Sequence, residues 1–242
     1  MDVKGLLGKL RSPRALALVL GTIASLVAAL PAHAERPMAV DDAVTPQRGE
    51  GEIEFGWARD DKKRGFEGSV AYVPLDRVKV EIGFAAARDR ANEPAARLRE
   101  AAIALKWVPL QADTGLSAGL AFEYARERAR IRDASDEISR ASAVTGLATW
   151  SFASGRRVHL NLGREWERVA GENGDSNIWG IGVEQPLTER LIVGAEVFGA
   201  QDESPDRQIG LRYEIVDGLS MSAAVGRGND RGFGNVGLAW EF

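Results

Sequence analysis

The chain has 242 residues, with 31 Lys and Arg against 35 Asp and Glu, two histidines and no cysteine. Disulfide frameworks, thiolate chemistry and Cys-ligated metal sites are therefore excluded. The acidic balance argues against a nucleic-acid partner.

The first element in chain order is a leader. Lys4, Lys9, Arg11 and Arg14 flank the start of an uncharged apolar run from Ala15 to Leu30, and Ala32-His33-Ala34 places small residues before Glu35. That order reads as a secretory signal peptide, residues 1–34, cleaved before Glu35. As a membrane anchor the run falls short of the roughly 20 residues a spanning helix needs, and Pro31 follows it.

Downstream no apolar run is long enough for a spanning helix, and the hydrophobic period becomes two. Ile53, Phe55 and Trp57 share one face against Glu52, Glu54 and Gly56. The alternation recurs at Phe66 to Tyr72, Val78 to Phe84, Ile103 to Trp107, Leu116 to Tyr124 and Val144 to Phe152. It continues at Val158 to Leu162, Trp179 to Val183, Leu191 to Val197, Ile209 to Ile215, Leu219 to Val225 and Val236 to Phe242. Only helices and closed barrels satisfy every backbone group in lipid. The expectation is an all-β fold, an antiparallel up-and-down transmembrane β-barrel of about twelve strands. Residues 51–242 form that barrel domain, and residues 35–50 a periplasmic N-terminal segment.

A soluble sandwich alternates as well, so the second face decides. It carries small residues and Glu, as in Gly119, Ala121 and Glu123 or Gly180, Gly182 and Glu184. Small and polar inward with apolar outward is the barrel arrangement. Tyr72, Trp107, Trp150, Phe152 and Phe242 lie near one set of turns, and Trp57, Phe84, Tyr124, Trp166 and Trp179 near the other, as two interfacial girdles. Connections at Pro74 to Arg77, Pro109 to Gly115, Ala153 to Arg156, Pro186 to Arg190 and Val216 to Gly218 are short, whereas Arg126 to Ser139 and Glu167 to Ser176 read as longer charged loops. Short turns belong on the periplasmic side, which puts both termini there and the protein in the cell outer membrane.

At the end of the chain Val236, Leu238, Trp240 and a terminal Phe242 share one face. That pattern resembles the C-terminal signal of outer-membrane barrels and implies the barrel-assembly machinery as a partner during biogenesis. Thr45-Pro46-Gln47-Arg48-Gly49, His159-Leu160-Asn161-Leu162-Gly163, Gln185-Pro186-Leu187-Thr188-Glu189-Arg190 and Val225-Gly226-Arg227-Gly228 resemble the outer-membrane proteins encoded with phenol-degradation pathways, the MetA-pathway family. The resemblance implies a barrel for transport or uptake and little further chemistry.

Two charged sets follow from the strand parity. The outward face carries Arg59, Arg64, Arg88, Arg99, Arg126, Arg128, Arg140, Arg168, Arg207 and Arg227 beyond the apolar band. Guanidinium forks suit phosphates, so lipopolysaccharide is the expected contact. The inward face carries Glu54, Glu67, Lys79, Glu81, Lys106, Glu123, His159, Asn161, Glu184, Glu196, Arg212 and Glu214. Carboxylates prevail there, so the lumen is expected to be hydrated and cation-tolerant, or else plugged by internal ion pairs.

The expected function is a passive channel or uptake porin for small solutes. A non-conducting structural barrel anchored to lipopolysaccharide is the alternative, and a lipid acyl hydrolase or transferase the remote one. No catalytic set is assigned: acyl transfer needs a Ser nucleophile with a His base, and His159 has no lipid-facing serine near it. No metal site or cofactor is expected, since the chain after residue 34 has a single histidine. Gly226-Arg227-Gly228 and Gly232-Phe233-Gly234 lack the strand-to-helix setting of a phosphate loop.

Overall fold

The computed structural model describes residues 37–91, 94–131 and 136–242. The leader, residues 1–34, lies outside the described residues. Twelve strands follow one another: β1 (Gly51–Asp60), β2 (Lys63–Leu75), β3 (Val78–Asp89), β4 (Ala96–Leu110), β5 (Gly115–Arg130), β6 (Glu137–Ser151), β7 (Arg157–Val169), β8 (Glu172–Pro186), β9 (Leu191–Ala200), β10 (Asp206–Val216), β11 (Leu219–Gly228) and β12 (Arg231–Glu241). Each pairs antiparallel with its chain neighbours, and β12 closes on β1. Gly51 and Phe242 exchange backbone hydrogen bonds of 2.8 and 2.9 Å at that seam. The end of the barrel holding this pair is the terminal rim, and the other end the far rim.

The outward side chains show why the strands belong in lipid. On β5, Leu116, Leu120, Phe122 and Tyr124 are all exposed, as are Ile82 on β3 and Leu162 on β7 at 62% and 59%. A transmembrane strand needs roughly 9–11 residues, about the span from Leu116 to Tyr124. β5 has 16 residues, so its last outward positions, Arg126, Arg128 and Arg130, rise beyond that band. Tyr72, Trp107, Trp150 and Phe242 are exposed toward the terminal rim and Phe84, Tyr124 and Trp166 toward the far side of the band.

One expectation from sequence is corrected. The connections do not alternate between short and long. Glu167 to Ser176 is mostly strand, because β7 turns into β8 at Ala170 and Gly171, both with positive φ (51° and 88°). Asn229 and Asp230 (47° and 56°) make the same kind of tight turn between β11 and β12. Positive φ at both central residues twists the chain as paired strands require, so these hairpins need no loop. Residues 35–50 read from sequence as a periplasmic N-terminal segment. The described part, from Pro37 onward, enters the lumen, with Met38, Val40 and Ala43 buried.

Candidate functional site in the lumen

Strands tilt in a barrel, so a row of directly paired residues climbs the wall as a helix. One inward row runs Ser117, Thr149, His159, Gly182, Glu196 and Gln208 from β5 to β10. Residues 37–45 follow this row as an N-terminal strap. Gly180, Gly182, Gly194 and Gly210 form the trough beneath it. A Cβ at Gly194 would lie 2.5 Å from Met38 Sδ, one at Gly180 2.6 Å from Val40 Cγ2, and one at Gly210 2.5 Å from Pro37 Cγ.

The strap is a backbone without a neighbouring strand, so its polar groups need other partners. The Glu196 carboxylate accepts from Ala39 N and Val40 N at 2.7 and 2.8 Å. Gln208 donates to Pro37 O at 2.7 Å and to Glu196. The Asn161 amide accepts from Asp41 N (2.7 Å) and donates to Asp41 O (2.8 Å), copying a strand partner. The Gln111 amide does the same for Thr45, at 3.1 and 3.0 Å. Ala43 N donates to Thr149 Oγ1 at 2.8 Å, and the Thr149 hydroxyl shares a hydrogen bond of 3.0 Å with His159 Nδ1. The remaining ring nitrogen, Nε2, faces Glu184 Oε2 at 3.6 Å.

Charges lock the strap at its centre. Lys106 Nζ lies 2.6 Å from Asp41 Oδ1 and 3.2 Å from Asp42 Oδ1, and Arg157 lies 3.2 Å from Asp42 Oδ2. Arg157 also reaches Glu184 at 2.5 Å, where Arg212 stands at 3.6 Å. Lys79 joins Glu52 and Glu81 at 3.5 and 3.7 Å. Several inward residues named from sequence are thus engaged with the strap or with one another. Glu196 in particular holds the strap and does not line an open bore. Glu54, Glu67, Glu123 and Glu214 also lie on the inner face of their strands. His159, 2% exposed, sits beneath the strap, where no lipid chain reaches it.

Sequence reasoning missed the other half of this site: Asp41, Asp42, Thr149, Gln111 and Gln208. The inward glycines of β8, β9 and β10 were the available signal, since a wall stripped of side chains leaves a groove that something else must fill.

Outside, all ten arginines named from sequence are exposed, and the register aligns them. Arg59, Arg64, Arg88, Arg97 and Arg130 are directly paired across β1 to β5. Arg99 opposes Arg128, Arg126 opposes Arg140, Arg140 opposes Arg168, and Arg207 opposes Arg227. Hydrogen bonds from Arg130 and Arg128 hold the Asp136 carboxyl below the usual carboxylate range.

The barrel fold is shared with solved outer-membrane barrels. The KdgM porin superposes with a TM-score of 0.61 at 10% identity, over 79% of this chain and 99% of that one. A COG4313 outer membrane channel from Pseudomonas putida F1 gives 0.53 at 10% identity, over 82% and 97%. The translocator domain of autotransporter NalP from Neisseria meningitidis gives 0.51 at 13%, over 81% and 90%. Identities this low establish the fold, and porins, channels and a translocator all use it. With the exposed apolar band, they make the chain a β-barrel of the outer-membrane type. No curated protein matches the sequence. A family model does match, over residues 22–237, and the chain belongs to the family described as "Uncharacterised conserved protein UCP029691".

Proposed function

We propose that the barrel is a channel for small solutes whose lumen is closed, in this conformation, by its own N-terminal strap. The observation that carries the reading is the strap's mode of attachment, by side-chain hydrogen bonds and ion pairs along one polar row. Ordering a residue costs roughly 1–2 kcal/mol of backbone entropy, and a hydrogen bond returns about 0.5–1.5 kcal/mol. These two terms nearly offset, so the net hold on the strap rests on its ion pairs and on the buried Met38 and Val40, a hold that substitution can release. The terminal rim is periplasmic in this reading, and carboxylates such as Glu123 favour cations over anions in the open lumen.

Single-channel recording in planar bilayers tests it. The native barrel should be closed most of the time, and Glu196→Ala with Lys106→Met should open it. Silence from both proteins would overturn the channel and favour a structural barrel anchored to lipopolysaccharide. That second reading has its own support in the paired arginines, because like charges directly opposite on a sheet repel unless an anion lies between them. The outward face of Val236, Leu238, Trp240 and Phe242 suits recognition by the barrel-assembly machinery. The resemblance to phenol-degradation barrels adds small aromatic acids to sugars and amino acids in the panel for liposome swelling.

A further inference from the structure

The lumen wall on β1 to β7 carries two rows of carboxylates. The first runs Glu52, Ala71, Glu81, Ala104, Glu123, Ala143 and Glu165, one residue per strand, so that Glu and Ala alternate from the terminal rim toward the far rim. With strands about 4.8 Å apart, a carboxylate recurs about every 10 Å along this path. The second row, nearer the far rim, runs Glu67, Ala85, Glu100 and Glu127 on β2 to β5 and sets Glu100 directly opposite Glu127.

Within the second row, Glu100 and Glu127 are short of donors. Glu100 is 7% exposed, and neither of its carboxylate oxygens has a hydrogen-bond partner. Glu127 is 3% exposed, and its Oε2 has none, although Lys63 lies close enough to act on it electrostatically. Lys79 is engaged with Glu52 and Glu81 in the lower row. Buried carboxylate oxygens without donors are costly, so a positively charged N–H donor from outside the chain would be strongly favoured there.

Among the described residues no three acidic or histidine side chains converge to hold a metal ion. The carboxylates are instead spread along the wall, one every second strand in the first row. We propose that this wall binds a linear organic polyamine, with one ammonium between Glu100 and Glu127 and the next reaching toward Glu123. The alanines between the carboxylates offer the methylene chain an apolar surface of matching character. The proposal names the solute class of the channel read above and rests on that reading for transport, while binding needs no through-path.

Calorimetric titration of spermidine into the folded full-length barrel in detergent, at low ionic strength, tests the site. Saturable binding is expected. Glu100→Gln with Glu127→Gln should weaken it by about tenfold or more, since two charge-assisted hydrogen bonds are lost. Glu172→Gln with Glu203→Gln removes the same charge from the exposed rim and should leave binding within about twofold. Heat-modifiable migration on gels reports that each variant is folded. No saturable heat, equal weakening by both pairs, or equal affinity for magnesium would overturn the proposal. Binding without bilayer conductance would sink the channel reading alone, and conductance without binding would sink the polyamine site alone.

Discussion

Lys106 on β4 holds Asp41 of the strap at 2.6 Å, with both side chains buried. Removing one partner of such a pair strands the other charge, at about 3–5 kcal/mol. Lys106→Met should therefore lower the thermal midpoint and make residues near Asp41 and Asp42 sensitive to protease added to the purified barrel. Adding Asp41→Asn and Asp42→Asn should recover part of the loss. A single variant as stable and as resistant as the native chain would show that the pair does not hold the strap.

Gly194 leaves the space that Met38 occupies. Gly194→Leu should expel the strap without breaking the wall, because β9 tolerates a side chain on an inner face that is otherwise vacated. In the otherwise cysteine-free chain, Val40→Cys should react slowly with a charged maleimide and at least about tenfold faster once Gly194→Leu is added, as expected when about 1.4 kcal/mol shifts a docked equilibrium. Equal rates would place the strap outside the trough.

The arginine ladder makes a two-sided prediction. Arg88 and Arg97 face each other on the outside. Replacing both with Gln removes a cross-strand repulsion of about 0.2–1 kcal/mol. The variant should melt slightly higher than the native barrel in phosphate-free detergent and lower in vesicles containing lipopolysaccharide. The same sign of change in both media would remove the basis for lipid phosphate binding.

For orientation, Gly174 lies within β8 paired to Glu167, so the tight turn at Ala170 and Gly171 offers little space for a tag. The connection between β9 and β10 is longer. An epitope inserted at Asp202 should be labelled on intact cells, and one at Gly155 should not. Labelling at Gly155 alone would invert the barrel.

The barrel was legible because period two is a local property. Ile53, Phe55 and Trp57 announce a lipid face without reference to any other strand, and so does the run to Phe242. Register was not legible, and it creates the meaning of the charges. Arg59, Arg64, Arg88, Arg97 and Arg130 are scattered in sequence and consecutive only across paired strands. The strap was hidden for a related reason. Its partners lie far off in the chain, 156 residues away for Glu196 and Val40, and a carboxylate accepting from a backbone N–H looks in sequence like any other lumen Glu.

The strap also fixes an order of assembly. It is joined to β1, yet its ledge is built from β5 to β10, and Ala39 meets Glu196 across 157 residues of chain. The trough cannot exist until β9 and β10 are paired, whereas the seam between β1 and β12 closes with the Gly51 and Phe242 hydrogen bonds. A chain that zips its seam first must thread the segment through a finished tube. One that lays the segment down first closes around it, so the stage at which β12 finds β1 decides whether the newborn barrel is sealed or leaky.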